Sequence, residues 1–325
     1  MLSWRISLGA LFITATVALC WLDAWAERPR SMPSRIAIDT DLELPGVFLM
    51  PLVVLVAVLA TQETLRLAAA GGVQPQQTPV YLGNLLIVVG QWTPVLYGFI
   101  YQWNEHRGAL YMDLFLAASR SSFWSLGIGV ILIFLSEMSH YERPGGSLQR
   151  IAVSTFALIY VGVMLAFAIQ IRLFWGIGAV AAWIITVKMG DIGAYTVGRL
   201  FGRTKMAPLI SPGKTVEGAI GAVVFACLGS WISFTCIVPF VPTAIQLEPG
   251  GSLGWLIFGL VLAIAGIFAD LAESLLKRDV GCKDSSGWMP GFGGVLDMLD
   301  SLLLTAPVAW LMWSAGIVGG GQVPM

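Results

Sequence analysis

Residues 268–301 read FADLAESLLKRDVGCKDSSGWMPGFGGVLDMLDS, and they lie between two of the most apolar parts of the chain. Ionisable groups are costly within membrane-type sequence and by default mark function. The stretch nevertheless contains Asp270, Glu273, Lys277, Arg278, Asp279, Lys283, Asp284, Asp297 and Asp300. We therefore expect two membrane helices to meet at a polar loop, with a functional site at their ends.

The composition of the whole chain is that of a membrane protein. Of its 325 residues, 57% are hydrophobic and 11% are charged, and the mean hydropathy is +0.81. A helix needs roughly 20 apolar residues to cross a bilayer. Suitable runs lie near 7–26, 46–69, 80–103, 121–138, 150–171, 173–190, 216–242, 253–272 and 295–318. The predicted fold is an all-α integral membrane protein, a polytopic bundle of about nine transmembrane helices.

Lysine and arginine residues orient this bundle. Two basic segments, 188–215 and 277–294, are separated by two predicted helices, whereas the loop near 243–252 has neither residue type. The positive-inside rule places both basic segments in the cytoplasm. The same helix count leaves the arginine-containing loop 27–45 outside, as an exception to the rule. The expected location is the inner (cytoplasmic) cell membrane, with the polar site facing the cytoplasm.

The polar groups are concentrated in the second half of the chain. Residues 1–185 are expected to form scaffold helices, and residues 186–325 the catalytic region of the same continuous membrane domain. The four cysteines are scattered, without the spacing of a zinc site or a disulfide framework.

Carboxylates at helical spacing form the strongest candidate site. Asp270 and Lys277 lie on one face of a helix because they are spaced i, i+7, and Asp297 and Asp300 are spaced i, i+3 at the start of the last apolar run. An oxygen-only ligand set suits Mg²⁺ rather than Zn²⁺. Magnesium in turn implies a phosphate-bearing substrate. The alternative interpretation is that these are helix-end charges paired with neighbouring basic residues at the water interface.

A second polar group precedes the apolar run that begins at residue 216. Gly213, Lys214 and Thr215 resemble the end of a Walker A loop, but that motif needs glycine at position 208, where this chain has Pro208. The segment is therefore not a P-loop. Ser211, Lys214 and Thr215 directly ahead of an apolar helix still suit a phosphate at a helix N-terminus.

The span before this group ends in two further candidates. Asp191 and Tyr195 are spaced i, i+4 at the end of an apolar run, although packing or capping is the other interpretation of Tyr195. Arg199, Arg203 and Lys205 follow, and we interpret these three as charges that hold the loop in the cytoplasm.

The stretch SLLKRDVGCKDSSGWMPGFGGVLDMLDS resembles the signature of the phosphatidate cytidylyltransferase family, also called CDP-diacylglycerol synthases. In that signature a serine, a Lys-Arg pair, a Lys-Asp pair, a Pro-x-His-Gly-Gly turn and two aspartates recur in order. The matching residues are Ser274, Lys277, Arg278, Lys283, Asp284, Pro290, Gly293, Gly294, Asp297 and Asp300. The stretch 191–218 resembles the family's other shared segment.

Two positions depart from the family pattern. Phe292 stands where the family usually has histidine, and Met298 where it usually has arginine. The first change removes a proton carrier and the second a phosphate-binding cation, so turnover or nucleotide specificity could differ. An inactive relative is the alternative, and the complete carboxylate set argues against it.

The resemblance implies transfer of a cytidylyl group from CTP to phosphatidate, giving CDP-diacylglycerol and pyrophosphate for phospholipid biosynthesis. It implies that Asp270, Asp297, Asp300 and Lys277 are catalytic and that the three aspartates hold Mg²⁺. The residues expected to bind the phosphates of CTP or phosphatidate are Lys214, Ser211, Thr215, Arg278, Lys283, Asp284, Ser274, Asp191, Tyr195, Gly293 and Gly294. The expected partners are CTP, phosphatidate and membrane lipids, without nucleic acid. A monovalent cation beside the Mg²⁺ and a homodimer stay open.

Two other functions also stay open. A CTP-dependent polyprenol kinase would need similar nucleotide and metal contacts, and in addition a base for its hydroxyl acceptor. A membrane transporter would use the charges as an ion path. Against it, the charges cluster at one predicted membrane face and no inverted repeat is visible.

Overall fold

The computed structural model describes residues 14–25, 46–93, 107–142, 144–241, 253–287 and 293–318, with the backbone alone for 107–119. Helices make up most of these ranges. They are α1 (residues 14–25), α2 (Met50–Ala70), α3 (Gln77–Gly90), α4 (Arg107–Ser139), α5 (Ser147–Ala157), α6 (Met164–Phe201), α7 (Val216–Ile232), α8 (Gly254–Asp279) and α9 (Val295–Ser314). A π-helical turn, Leu158–Val163, joins α5 to α6, and a π-helical turn followed by a 3₁₀ turn extends α7 to Phe240.

Six helical segments in the described ranges are long and apolar enough to cross a membrane. They are Met50–Ala70, Arg120–Ser139, Ser147–Phe201, Val216–Phe240, Gly254–Asp279 and Val295–Ser314. The chain is therefore a helical, multi-pass membrane protein. The count of about nine spans stays a prediction, because parts of the runs at 7–26 and 80–103 lie outside the described residues.

The segment made of α5 and α6 is bent back on itself at Gly176. This residue has φ 81° and ψ −179°, which no helix accommodates. Just before it, the ring of Trp175 lies 6.1 Å from that of Trp310 near the end of α9. After it the chain returns, and Lys188 Nζ donates a hydrogen bond to Ser301 Oγ near the start of α9 (2.9 Å). Before the bend, Tyr160 lies in one buried cluster with Leu296, and the ring of Phe167 lies 5.7 Å from that of Trp310, so the segment passes along α9 in both directions.

Glycines let α6 and α7 pack closely. A Cβ atom at Gly221 would lie 2.6 Å from Val197 Cβ, and one at Gly193 would overlap the carbonyl oxygen of Gly221. Small residues at helix contacts allow backbones to approach within a bilayer, where burial from water does not drive association. The position of α7 against α6 is therefore fixed by the absence of side chains.

The structure agrees with the predicted all-α membrane fold, and the connection between α6 and α7 adds one short β-hairpin that the sequence did not indicate. Strand β1 (Lys205–Ala207) pairs antiparallel with β2 (Ser211–Thr215). Glu217, in the first turn of α7, accepts the backbone N–H groups of Arg203 and Thr204 (3.1 Å each). The hairpin is thereby tied to the helix that follows it. Periodicity did not reveal it because each strand is too short to show alternation.

Polar connections collect at one end of the bundle, which we call the site end. Helices α6 and α8 end there, and α7 and α9 begin there. At the opposite end Arg172 Nη2 lies 2.6 Å from Asp23 Oδ2 in a buried ion pair, and Phe48 N–H donates to Asp23 Oδ1 (3.2 Å). Asp23 and Phe48 flank the predicted loop 27–45, whose arginines lie outside the described residues.

Candidate active site

A cavity of about 600 Å³ lies at the site end, between α6, α7, α8, α9 and the hairpin. Much of its wall is apolar and includes Leu262, Ala263 and Ile267 of α8. Its charged lining consists of the carboxylates of Asp191, Asp270, Asp297 and Asp300 and the cations of Lys188, Arg199 and Lys214. Both signs of charge are therefore gathered in one recess of an apolar bundle.

Two of the carboxylates are each paired with a lysine from another structural element. Lys214 Nζ on the hairpin lies 2.7 Å from Asp270 Oδ2 on α8, as an ion pair without hydrogen-bond geometry. Lys277 Nζ on α8 donates to Asp297 Oδ1 on α9 (2.7 Å) and also lies 3.4 Å from the buried Glu273 Oε2. Each pair joins two elements, so these charges help to define the shape of the cavity.

Lys188, which was not among the predicted site residues, contacts the other two carboxylates. Its Nζ lies 3.0 Å from Asp191 Oδ2 and 3.8 Å from Asp300 Oδ1. Ser301 Oγ, which accepts from Lys188, donates to Asp191 Oδ2 (2.9 Å). The i, i+3 spacing of Lys188 and Asp191 at the end of an apolar run could have identified the lysine, whereas its link to α9 spans 113 positions.

Both oxygens of Asp297 are engaged by the protein. While Oδ1 accepts from Lys277, Oδ2 accepts from Ser285 N–H (2.9 Å), Ser285 Oγ (2.8 Å) and Gly294 N–H (2.8 Å). A Cβ atom at Gly293, which has φ +80°, would clash with the same carboxylate. The first glycine of the Gly-Gly pair is therefore required by Asp297, which closes the loop before α9 and also lines the cavity.

A second buried carboxylate, which no motif of the sequence indicated, holds this loop. Glu63 of α2 is 1% exposed and accepts hydrogen bonds from Val295 N–H (3.1 Å) and Leu296 N–H (2.7 Å), and its Oε2 also lies 3.1 Å from Ser285 Oγ. An ionisable residue inside the apolar run 46–69 was a signal for it, because such residues mark function in membrane spans. Its partners, more than 200 positions away, could not be read from spacing.

The structure brings most of the predicted site residues together. Asp191, Tyr195, Ser211, Lys214, Thr215, Asp270, Asp297 and Asp300 line the cavity. Lys277, Ser274, Gly293 and Gly294 lie directly behind this lining and contact Asp270 or Asp297. Thr215 also begins α7 by accepting Gly218 N–H (3.1 Å), and Tyr195 Oη accepts from Arg199 Nη1 (2.6 Å).

Three predicted residues lie apart from this group. Arg278, Lys283 and Asp284 are not part of the cavity wall. Arg278 Nη1 donates instead to the carbonyl oxygen of Cys282 (3.2 Å), which closes the end of α8. Their role in binding phosphates stays a prediction.

Of the two positions that depart from the family signature, the structure describes only Met298. Met298 is 37% exposed on α9 and does not line the cavity. Methionine at this position therefore leaves the charged groups of the cavity wall unchanged. Phe292 and Pro290 lie outside the described residues.

The cavity suits a divalent cation by its chemistry, although it holds no preformed metal cage. In the described ranges no three histidine, cysteine or acidic side chains are grouped closely enough to bind a metal ion. Four carboxylates on three helices nevertheless face one recess, and carboxylate oxygens are the ligands that Mg²⁺ prefers. Lysine ammonium groups now balance these carboxylates. The residues present therefore fit Mg²⁺.

Comparison with known proteins adds to this geometry. The sequence pattern of the cytidylyltransferase family matches residues 37–315, which include every helix of the site. The chain belongs to the cytidylyltransferase family. This confirms the family expected from the signature stretch.

Named relatives of this cytidylyltransferase-family chain come from several bacteria. Phosphatidate cytidylyltransferase of Chlamydia pneumoniae is 36% identical over 178 residues, which cover 51% of this chain and 55% of that protein. Phosphatidate cytidylyltransferase of Pseudomonas aeruginosa is 35% identical over 196 residues, 59% of this chain and 67% of the relative. Uncharacterized protein YnbB of Escherichia coli K12 is 43% identical over 121 residues, 37% of each chain. The matched part spans about half the length of the first of these relatives.

Proposed function

We propose that the protein is a phosphatidate cytidylyltransferase, which transfers CMP from CTP to phosphatidate and releases pyrophosphate. The observation that carries this proposal is the cavity, in which lysines and carboxylates face each other within a largely apolar wall at one end of a membrane bundle. A nucleotide and a lipid phosphate both bring dense negative charge. The named relatives support the same activity.

The cations of the wall are suited to hold two polyanions side by side. Lys188, Lys214 and Arg199 line the cavity, and Lys277 lies behind Asp297. Fixing both substrates in one orientation converts a bimolecular encounter into a local reaction, and cations placed at the phosphates neutralise the charge that develops. The protein's contribution is therefore alignment and charge balance.

The chemistry needs no histidine. A phosphate monoester is anionic near neutral pH, so an oxygen of phosphatidate attacks the α-phosphorus of CTP without a general base. The new bond joins that oxygen to the α-phosphorus, and the bond from the α-phosphorus to the bridging oxygen breaks. Pyrophosphate carries away the electron pair. Lys188 and Lys214 of the wall would bind oxygens of the reactants and the product, and Lys277 would add positive charge from behind Asp297.

Asp270, Asp297 and Asp300 would hold Mg²⁺, with Asp191 beside them on the wall. Bound Mg²⁺ supplies charge neutralisation at the reacting phosphates. Asp297 differs from the others because its position is already fixed by Ser285 and Gly294.

The site end would face the cytoplasm of the inner cell membrane. The described lysines and arginines of both basic segments lie at this end, which agrees with the positive-inside rule. CTP would then enter from water, while the apolar wall formed by Leu262, Ala263 and Ile267 lets the lipid keep its acyl chains in the bilayer.

The test uses purified protein with phosphatidate, Mg²⁺ and CTP labelled with ³²P at either the α or the γ position. We expect the α label, and not the γ label, in chloroform-extractable lipid, and EDTA should abolish its incorporation. Transfer of the γ label would identify a lipid kinase instead. Absence of any labelled lipid, with substrate flux in proteoliposomes, would favour a transporter.

A matched pair of variants ties the reaction to the cavity. Asp270→Asn removes a carboxylate from the wall and should lower CMP transfer at least about a hundredfold, since both alignment and charge balance suffer. Asp279→Asn makes the same change on an exposed residue of α8 outside the wall and should keep near wild-type activity. Equal turnover by the two variants would contradict the proposal.

A further inference from the structure

The start of α9 is capped in an unusual way. The first N–H groups of a helix have no partner within the helix and are normally satisfied by the side chain of the N-cap residue. The N-cap here is Gly294, which has no side chain to offer. Glu63 of α2 supplies the missing acceptor, with Oε1 on Val295 N–H (3.1 Å) and Oε2 on Leu296 N–H (2.7 Å).

Gly294 and Glu63 fit each other closely. A Cβ atom on Gly294 would clash with Glu63 Oε2 and with Ser285 Oγ, so only glycine leaves room for the buried carboxylate. The backbone of Gly294 itself is extended (φ −113°, ψ 177°) and suits any residue. Space, rather than backbone conformation, is therefore the reason for glycine at this position.

The first turns of α9, which begin at this cap, contain two aspartates of the cavity wall. Asp297 is the third residue of α9, and Asp300 follows one turn later on the same wall. Glu63 and Asp297 also share Ser285, whose Oγ lies 3.1 Å from Glu63 Oε2 and 2.8 Å from Asp297 Oδ2. A shift at Glu63 is thus transmitted both through the helix start and through the loop.

We propose that Glu63 is a positioning residue of the active site: by capping α9 it sets the places of Asp297 and Asp300 in the cavity. Glu63 does not line the cavity itself, so it acts through the helix rather than on substrate. The effect on the reaction rests on the proposed function, whereas the cap can be measured without it.

The first test is Glu63→Gln, which keeps size and removes the charge. Glutamine keeps one acceptor oxygen but replaces the other with an NH₂ group, which cannot accept a hydrogen bond from the backbone N–H that it faces. We expect kcat for CMP transfer to fall on the order of tenfold to a hundredfold, as small misplacements of reacting groups do. The KM for CTP should change less than about twofold, because the contact of Lys214 with Asp270 is untouched.

The second test exploits the fit between the two residues. In Gly294→Ser the new side chain clashes with Glu63, so activity and thermal stability should fall. In the Glu63→Ala background the carboxylate is gone, Ser285 Oγ, the other atom in the way, can turn into the vacated space, and the introduced serine hydroxyl can cap α9 itself. We therefore expect the double variant, Glu63→Ala with Gly294→Ser, to be at least about threefold more active, and about 2–4 °C more stable, than Glu63→Ala alone.

A control separates positioning from general loosening of α2. Thr61, also buried on α2, accepts a hydrogen bond from Asn84 Nδ2 of α3 (2.7 Å), so its hydroxyl faces α3. Thr61→Val should lower stability while keeping kcat within about twofold of wild type. If Glu63→Gln kept wild-type kcat, or if the double variant were no better than Glu63→Ala, the proposal would be overturned.

The readouts also separate this inference from the proposed function. If the wild-type protein gives no labelled lipid, the proposed function fails, and the thermal measurements still decide the cap. A double variant no more stable than Glu63→Ala would then overturn it.

Discussion

At Asp297 one carboxylate serves both the cavity and the loop that precedes α9. It accepts four hydrogen bonds, from Lys277, from Ser285 twice and from Gly294. Asp270, by contrast, has a side chain that is 37% exposed and forms an ion pair with Lys214. Asp297 therefore contributes more to the stability of the fold than Asp270, although both are expected to bind the metal ion.

This difference gives a prediction about stability. Asp297→Asn should lower both CMP transfer and the thermal midpoint, the latter by at least about 4 °C, because hydrogen bonds to a charged acceptor are lost. Asp270→Asn should lower transfer with a smaller loss of midpoint than Asp297→Asn, since the partly exposed Asp270 makes one ion pair whereas Asp297 accepts four hydrogen bonds. Thermal unfolding of detergent-solubilised protein measures this, and equal midpoints for the two variants would contradict it.

Gly293 gives a second prediction at this scale. In Gly293→Ala the methyl group meets Asp297 and the residue must keep φ +80°, which costs a non-glycine residue about 1–2 kcal/mol. Stability and transfer should both decrease. Gly287→Ala is the matched control in the same loop, because a Cβ there meets nothing within 4 Å. Similar losses of stability and transfer in the two variants would contradict the role given to the contact between Gly293 and Asp297.

The helices themselves lead to a prediction about the contact of α6 with α7. In Gly221→Ala the new methyl group lies 2.6 Å from Val197 Cβ, so the two helices must separate and the cavity wall that they share must shift. We expect lower stability and lower CMP transfer. In Gly127→Ala, on α4, the methyl group meets no atom within 4 Å, and stability should stay unchanged or rise by up to about 1 kcal/mol through helix propensity. Thermal midpoints and label incorporation, measured in parallel, decide between these outcomes.

Elements were predictable from the sequence where a local pattern determines them. The apolar runs at 46–69, 216–242, 253–272 and 295–318 correspond to α2, α7, α8 and α9. These helices were predictable because a membrane span needs apolar residues along most of its length. The hairpin before α7 was not predicted, since its strands contain three and five residues.

The same limit applies to the candidate site. Helical spacing identified Asp270, Asp297 and Asp300, which the structure places on one cavity wall. Spacing compares residues within one helix, so it gave no sign that Lys188 reaches Ser301 or that Glu63 reaches Leu296. Contacts between distant parts of the chain depend on how the helices pack.

For the molecule as a whole, the orientation in the membrane is testable with single cysteines. After replacement of the native cysteines by serine, Lys283→Cys introduces a thiol at the site end and Leu253→Cys at the opposite end of α8, where Leu253 is 59% exposed. A membrane-impermeant maleimide should label the first in inverted vesicles and the second in right-side-out vesicles. The reverse pattern would place the site end outside the cytoplasm.

The contact between Glu63 and α9 also has a consequence for biosynthesis. Glu63 leaves the ribosome 233 positions before Leu296, so at about 5–20 residues per second α2 is complete roughly 10–50 s before its capping partners exist. During that interval the bilayer holds α2 with a glutamate, Glu63, whose hydrogen-bond donors on α9 have not yet been translated. A nascent chain stalled before α9 should therefore be a preferred substrate for membrane quality-control proteases, and arrival of the last helix would mark the protein as finished.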